Sequence, residues 1–325
     1  MKALVCRDYA PLDSLRIEDI PPPALGAGQV RVGIRVASIN PPDVLMPQGK
    51  YQVKPSVPFV PGVEGMGTVL ELGDGVSDLA VGDRVMTYAG QGCFAEEVVV
   101  PRVRVERVPA GMDDLQASGF VLVYSTAYHG LTDCGRLQDG ETLVVLGASG
   151  GIGLCAIQIA KGLGATVIAV ASTPEKLAKC RANGADHLID SSRENLTERI
   201  RHFTGGRGTD VTLDVVGGDV TEPALRAIAP YGRHLIAGYA SGVIPQIKGN
   251  LVLLKQAQVI GVSYRLYLER TPEKAAANVR RLCEMYEAGH LRSEVTMTFP
   301  FERVVDAIRE VGERRAIGKV AVPLA

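Results

Sequence analysis

The amino-acid sequence predicts an α/β protein in two parts: a compact β-rich barrel, and a parallel sheet covered on both faces by helices. Three observations predict it. The chain has 325 residues, a length for about two domains. Its first part reads as short strands punctuated by glycine and proline, with no long helical pattern. From Gly119 onward, strands alternate with helical stretches, the signature of right-handed crossovers between parallel strands.

Taken in order, residues 1–5 and 15–20 read as two short strands around a turn at Pro11-Leu12-Asp13. Pro21-Pro22-Pro23 stiffens the connection that follows, because proline fixes φ and removes a donor. Residues 29–38 (QVRVGIRVAS) alternate apolar and polar, the half-buried strand pattern. Further strands are expected at 67–72, 84–88 and 94–100. The second part shows six strands, at 142–147, 166–171, 187–189, 210–216, 233–238 and 258–262. Helices are expected between them at 152–163, 174–183, 193–203, 220–229 and 250–255. Helices at 272–288 and 302–313 lead to a last strand, 319–324, expected to return to the first domain and complete its sheet. The domain boundaries so read are 1–118 with 292–325, and 119–291.

Composition narrows the function classes. The chain is 46% hydrophobic and 22% charged with formal net charge −1, a balance that favours neither nucleic acid nor an acidic membrane as partner. The first 20 residues include Arg7, Asp8, Arg16, Glu18 and Asp19, so they contain no apolar leader core. No uncharged apolar run approaches the length of a membrane span. Six cysteines, at 6, 93, 134, 155, 180 and 283, are scattered without a CxxC pair, which points to free thiols in a reducing cytoplasm.

The segment 141–164 (ETLVVLGASGGIGLCAIQIAKGLG) carries the most chemistry. A buried strand runs into a small-residue turn, Ala148-Ser149-Gly150-Gly151, and then a helix. The N–H groups of a first helical turn and the helix dipole favour a phosphate there. Against G-x-G-x-x-G the register gives Ala148, Gly150 and Gly153, with alanine in the first place. Six alternating strands make this a Rossmann-type dinucleotide site. An NAD site wants an acid at the end of the second strand to bind the ribose 2′-OH. Here Val170-Ala171-Ser172-Thr173 stands, with Lys176 on the next helix, so NADPH is the expected cofactor.

In the first part, Asn40-Pro41-Pro42-Asp43 ends the alternating strand. Asn40 and Asp43 suit the cap of a short helix, a role compatible with an active-site position. Gly49-Lys50-Tyr51 follows, then Gly62-Val63-Glu64-Gly65, where Glu64 is a carboxylate among apolar neighbours. His129 and His187 stand in apolar contexts and read as core or surface residues.

Together NPPD, GKY, PGVEGMGTV, VGDRV, YSTAYHGL, VLGASGGIG, DVVGG, GVSY and the Gly318-Lys319 tail resemble the medium-chain dehydrogenase/reductase superfamily, and within it the zinc-free NADPH:quinone oxidoreductases. The resemblance covers essentially the whole chain. It implies a groES-like barrel for substrate, a Rossmann domain for cofactor, an active cleft between them, and a homodimer formed through the last sheet strand. It also implies that Ser149, Gly150, Gly151 and Ile152 hold the pyrophosphate, and that Ser172 and Lys176 take the 2′-phosphate. Gly217, Gly218, Ile236, Ala237, Gly238, Tyr239, Val262, Ser263 and Tyr264 would line the nicotinamide path. Thr126 would face the carboxamide, Asn40 and Tyr51 would close the cleft, and Lys319 would lie at the junction. Ser191 stands where relatives often have a ring near the adenosine phosphate, so Arg193 is an alternative partner there.

Zinc-dependent relatives carry a cysteine at the place of Asn40 and a His-Glu pair at the place of Val63-Glu64. Their structural zinc lobe needs four close cysteines, of which only Cys93 is present. The histidines, at 129, 187, 202, 234 and 290, offer no paired spacing, so no metal is expected. A zinc-free site suits acceptors that are electrophilic unaided: a quinone, or the activated C=C bond of an α,β-unsaturated carbonyl. Asn40 and Tyr51 are the expected donors to the developing oxyanion, with Thr126 beside them, and Tyr51 or water supplies the proton. Alternatives are an enal, enone or enoyl-thioester reductase, for which Lys50, Lys54, Lys248 and Arg265 are scattered basic candidates, or a non-catalytic NADPH-binding regulatory or RNA-associated protein. No basic, aromatic-interleaved patch supports the last, and no nucleic acid or membrane partner is expected.

Overall fold

The computed structural model describes residues 1–313 and 315–324; Arg314 and Ala325, at the end of the expected first domain, lie outside the described residues. The chain begins with β1 (Lys2–Val5), β2 (Arg16–Asp19), β3 (Gln29–Ser38) and α1 (Pro41–Leu45). Next come β4 (Glu64–Leu72), β5 (Arg84–Tyr88), β6 (Glu97–Pro101), β7 (Val105–Arg107), α2 (Asp114–Ser118) and α3 (Val121–Tyr128). After a wide turn follow β8 (Thr142–Leu146), α4 (Gly151–Gly162), β9 (Thr166–Ala171), α5 (Pro174–Ala182), β10 (His187–Asp190) and α6 (Leu196–Phe203). The sheet continues through β11 (Thr209–Asp214), α7 (Thr221–Arg226), β12 (Ile228–Ile236), α8 (Gly249–Lys255) and β13 (Gln258–Gly261). The tail holds α9 (Tyr264–Arg270), α10 (Pro272–Glu287), β14 (Val295–Thr298), α11 (Val304–Gly312) and β15 (Lys319–Pro323).

Two compact units result: Met1–Leu122 with Pro272–Glu287 and Ser293–Ala325, and Val123–Thr271 with Ala288–Arg292. The first is built on a sheet of order β14-β15-β3-β4-β5-β7, with β6 also paired to β3. As expected, β15 returns to this sheet and runs antiparallel to β3, setting Ala321 opposite Ser38. The second unit holds six parallel strands in the order β10-β9-β8-β11-β12-β13, the dinucleotide-binding order 3-2-1-4-5-6. Its central strand β8 is buried along its whole length, as a parallel strand covered on both faces must be. Val144, Leu146, Ile168, Val170 and Ile189 pack with Leu196 and Ile200 of α6 and Ala224 of α7 on one of those faces.

One segment groups differently from expectation. Helix α10, expected within the second domain, clusters with the first. Its contacts explain this: the Tyr286 hydroxyl donates to Gln116 Oε1 at 2.8 Å, and Glu287 Oε1 accepts the Ala110 N–H at 3.1 Å. The edge of the Tyr286 ring also meets Phe120. Nothing in the sequence between 272 and 287 marks that choice.

Candidate functional site

The Rossmann-side residues named from the sequence, Thr126 on α3 and Lys176 on α5 apart, lie at the carboxyl ends of the parallel strands. There an open sheet has its switch point, here between β8 and β11. Ser149 to Ile152 follow β8, Ser172 follows β9, and Ser191 follows β10. Gly217 and Gly218 follow β11, Ile236 ends β12 with Ala237, Gly238 and Tyr239 after it, and Val262 to Tyr264 follow β13.

The glycines of the turn differ in why they are glycine. A Cβ on Gly153 would come within 2.5 Å of the Gly147 carbonyl oxygen and 2.6 Å of that of Ala148. Close helix–strand packing therefore fixes that position. A Cβ on Gly150 would meet nothing nearer than 3.5 Å, so the protein's own packing does not require glycine there. Gly150 is the N-cap of α4 and provides no side-chain cap to its first turn. The fold thus leaves a bare helix start where an anion can approach the backbone.

Beside it, Thr173 caps α5 by accepting the Lys176 N–H at 3.3 Å, and Ser172 is exposed. Ser191 turns its hydroxyl back to the Ala171 carbonyl at 3.3 Å, which ties the end of β10 to the end of β9. Ser191 is thus a strut of this edge. Arg193, the alternative partner, lies 3.8 Å from Asp190 with most of its side chain exposed.

A buried carboxylate holds the loops on the other side of the switch point. Asp214 ends β11; its Oδ1 accepts the N–H groups of Val216 at 2.9 Å and Gly217 at 2.8 Å, and its Oδ2 accepts the Thr221 hydroxyl at 2.6 Å. Burial pushes its carboxyl up. The adjacent His234 ring, the Gly217 N–H and the Thr221 hydroxyl outweigh that and hold it below the usual range. The two loops are then laced together, Ala240 to Val215, Ser241 to Val216 and Gly218 to Val243, at 2.8–3.0 Å. Gly217 and Gly218 have φ of +66° and +62°, and Tyr239 packs closely over Gly217.

Two residues expected to line the path stand at the start of α9. Ser263 caps α9, accepting the Leu266 N–H at 3.3 Å, and Tyr264 begins that helix with its side chain buried. This helix is not among those expected, although Tyr264, Tyr267 and Leu268 stand at i, i+3 and i+4 and form its covered face. Val262 packs against Gly130, and Thr126 is buried on α3.

In the first unit Asn40 and Lys319 meet around Glu64. Lys319 Nζ lies 2.6 Å from Glu64 Oε1 and 2.7 Å from Asn40 Oδ1. Glu64 Oε1 also accepts the Ser38 hydroxyl and the Asn40 amide, each at 2.9 Å, while Oε2 accepts the Leu122 N–H at 2.9 Å. That N–H belongs to the first turn of α3, where the helix dipole favours a carboxylate. Glu64 is 1% exposed and Lys319 7%. Asn40 donates its second amide hydrogen to the Ser38 carbonyl at 3.3 Å. Both amide hydrogens are therefore committed inside the protein.

Asp43, three residues after Asn40, accepts the N–H groups of Asn40 (2.8 Å), Val63 (3.0 Å) and Gly62 (3.1 Å). It completes the cap of α1 from the far side, so the expected cap is made by Asp43, and the Asn40 carboxamide turns away to Glu64 and Lys319. Burial pushes the Asp43 carboxyl up to about 7, against the pull of those donors. Tyr51 lies half-buried in the loop beyond α1.

Residues 26–110 match the alcohol dehydrogenase GroES-like domain, and residues 151–280 match the zinc-binding dehydrogenase domain. A quinone oxidoreductase-like protein 2 homolog of Nematostella vectensis is 36% identical over 300 residues, 92% of this chain and 82% of the relative. The quinone oxidoreductase of Pseudomonas aeruginosa is 33% identical over 318 residues, 97% of each chain. The solved structure of Escherichia coli quinone oxidoreductase complexed with NADPH superposes with a TM-score of 0.93 at 25% identity, covering all of both chains. The chain belongs to the quinone oxidoreductase family of medium-chain dehydrogenase/reductases.

For a quinone oxidoreductase family member, the strand ends fit a dinucleotide: a bare helix start, and beside it hydroxyls and a lysine where a carboxylate would repel a phosphate. A catalytic zinc does not fit. Where Asn40 and Glu64 oxygens converge, the chain supplies its own cation, the Lys319 ammonium. Val63 offers no donor atom at the third position. Among the described residues no group of three or more His, Cys, Asp or Glu side chains is placed to hold a metal ion. Asp43 stands in the expected helix cap, whereas Glu64, which joins Asn40 to Lys319, has no role assigned from the sequence. The signal that could have found Glu64 is a carboxylate among glycines at the start of β4, beside an apolar flank.

Proposed function

We propose that this protein is an oxidoreductase that transfers a hydride from NADPH to a quinone, or to the activated C=C bond of an α,β-unsaturated carbonyl, without zinc. One observation carries the reading. At the carboxyl edge of the six-stranded sheet, the bare start of α4 stands beside a β9 end that reads Ala171-Ser172-Thr173, with no carboxylate. The α4 backbone takes the pyrophosphate, and Ser172 and Lys176 take the 2′-phosphate. The Asp214-braced loops hold Gly217, Gly218 and Tyr239 at the edge of that path. NADPH, when bound, supplies the hydride.

The chain's remaining task is to hold a proton donor for the oxygen that gains charge. Asn40 is removed from that task because its carboxamide is spent on Glu64 and Ser38, so Tyr51 or water supplies the proton. The choice of acceptor follows from the donor set. Lys319 stands where a Lewis acid would be needed to polarise a simple ketone, so the acceptor must be electrophilic unaided. The enoyl-thioester alternative has less support: two of its basic candidates, Lys248 and Arg265, already pair with Glu222 and Glu269. Six free cysteines support a reducing cytoplasm as its location, and no described helix is long and apolar enough to cross a membrane.

The test is turnover of the purified protein with NADPH and with NADH against quinones, enals, enones and simple ketones, with and without a chelator. We expect NADPH-preferring reduction of the quinones or enones that a chelator leaves intact. Equal turnover with NADH, or loss on chelation, contradicts the reading. Lys176→Glu should raise KM for NADPH at least about tenfold more than KM for NADH, the scale of one lost charge contact; an equal rise for both would remove Lys176 from the phosphate.

A further inference from the structure

Away from the cofactor edge, α3 ends in an unusual way. Residues His129–Cys134 form a π-helical turn, a geometry found mostly as short bulges and frequently at functional sites. An α-helix brings residue i+4 beside residue i. The wider turn brings i+5 round as well, so Asp133 and Cys134 both arrive next to His129. The ring's Nδ1 lies 2.9 Å from Asp133 Oδ2, and its Nε2 lies 3.4 Å from Cys134 Sγ. Tyr267 of α9 stacks on the imidazole with ring centroids 3.9 Å apart and planes 18° from parallel. His129 is buried, Cys134 half-buried and Asp133 exposed.

Carboxylate, imidazole and thiol thus stand in line. Asp133 accepts from Nδ1–H and fixes the tautomer, which leaves the Nε2 lone pair aimed at the thiol. This is the arrangement that turns a thiol into a nucleophile. The two ring nitrogens point to opposite sides, so the three groups do not converge on one point as metal ligands would.

We propose that Cys134 is a nucleophilic thiol, activated by His129 and Asp133, that is covalently alkylated by soft electrophiles of the α,β-unsaturated carbonyl class. The Sγ proton passes to Nε2. The sulfur electron pair forms a bond to the β-carbon, and the C=C π pair moves onto the α-carbon and carbonyl. The imidazolium then returns its proton to the α-carbon. The product is a neutral thioether with His129 restored, and no oxidant or reductant is consumed. Alkylation needs no cofactor, so it stands apart from the hydride-transfer reading.

The surroundings say how the thiolate forms. Burial, and then the charge of Asp133, push the Cys134 thiol up, so free ionisation is disfavoured and transfer to His129 is the route. Asp133 and Cys134 flank the ring from its own turn, and Tyr267 covers it from α9. Cys283 provides an internal comparison: it is also half-buried, but burial and the carboxylates of Glu106, Glu287 and Glu284 push its thiol up to about 12. Cys6, Cys93, Cys155 and Cys180 are buried.

The experiment treats the full chain with limiting N-ethylmaleimide and follows each cysteine-containing peptide by mass spectrometry across pH. Cys134 should be labelled at least about tenfold faster than Cys283 near neutral pH. His129→Gln should slow that labelling by about tenfold or more. Asp133→Asn, at an exposed side chain that leaves packing intact, should slow it in the same direction. Labelling of Cys134 no faster than of Cys283, or a rate unchanged in Asp133→Asn, overturns the proposal.

Discussion

At the residue scale, the buried lysine of the first unit carries two consequences. Lys319 neutralises Glu64 where neither reaches water. Removing one partner of such a pair strands the other, at about 3–5 kcal/mol, whereas replacing both is far less costly. Lys319→Met should therefore lower unfolding free energy by that amount, and adding Glu64→Gln should restore most of it in urea titrations. A double variant as unstable as the single one would show that the charges do not compensate each other. Asp43 sets the pH dependence. Its carboxyl is raised from 3.8 to about 7, so between those values the folded chain binds more protons than the unfolded one, and stability falls as pH rises through the window. The contribution is on the order of 4 kcal/mol, from about 1.4 kcal/mol per pH unit. Melting temperature should be higher near pH 5 than near pH 8, and Asp43→Asn should flatten that slope.

At the element scale, the turn between β8 and α4 separates folding from binding. Gly153→Ala forces a methyl group into two backbone carbonyls, which cannot shift without moving the strand. It should cost several degrees in melting temperature, the scale of about 1–3 kcal/mol for overpacking. Gly150→Ala finds space within the fold, so it should melt like the parent yet bind NADPH more weakly, read by fluorescence titration. Equal binding in Gly150→Ala and parent would mean that no pyrophosphate approaches this backbone. The same element shows why the motif was readable: a strand, a glycine turn and an amphipathic start are set by neighbours within a few residues. The π-turn after α3 was not, since YSTAYHGLTDC carries no pattern that separates a five-residue from a four-residue closure.

At the scale of the whole molecule, the six-stranded sheet is open at β13. An edge strand presents unpaired backbone groups that natural proteins cover or pair. Leu253 and Leu254 of α8, the helix just before it, are each 76% exposed. We expect a second copy to cover this edge as a homodimer. Sedimentation velocity should give twice the chain mass, and Leu253→Glu with Leu254→Glu should give a monomer of unchanged melting temperature. A monomeric parent protein would end that expectation.

The sequence by itself determined the alternating strands and helices of the parallel sheet, the glycine turn and the absence of an acid at Ser172. These are local matters: side-chain period, φ freedom and the residue types next to a strand end decide them. Only the tertiary structure decided what Asn40 does. Its carboxamide was read as a donor to substrate, and it is bound instead to Glu64, 24 positions away, and to Lys319, 279 away. That outcome depends on β15 lying beside β3 and β3 beside β4, which brings one ammonium and one carboxylate into the same dry space. A buried charge accepts whichever partner the sheet order delivers, and sheet order is not written in any single segment.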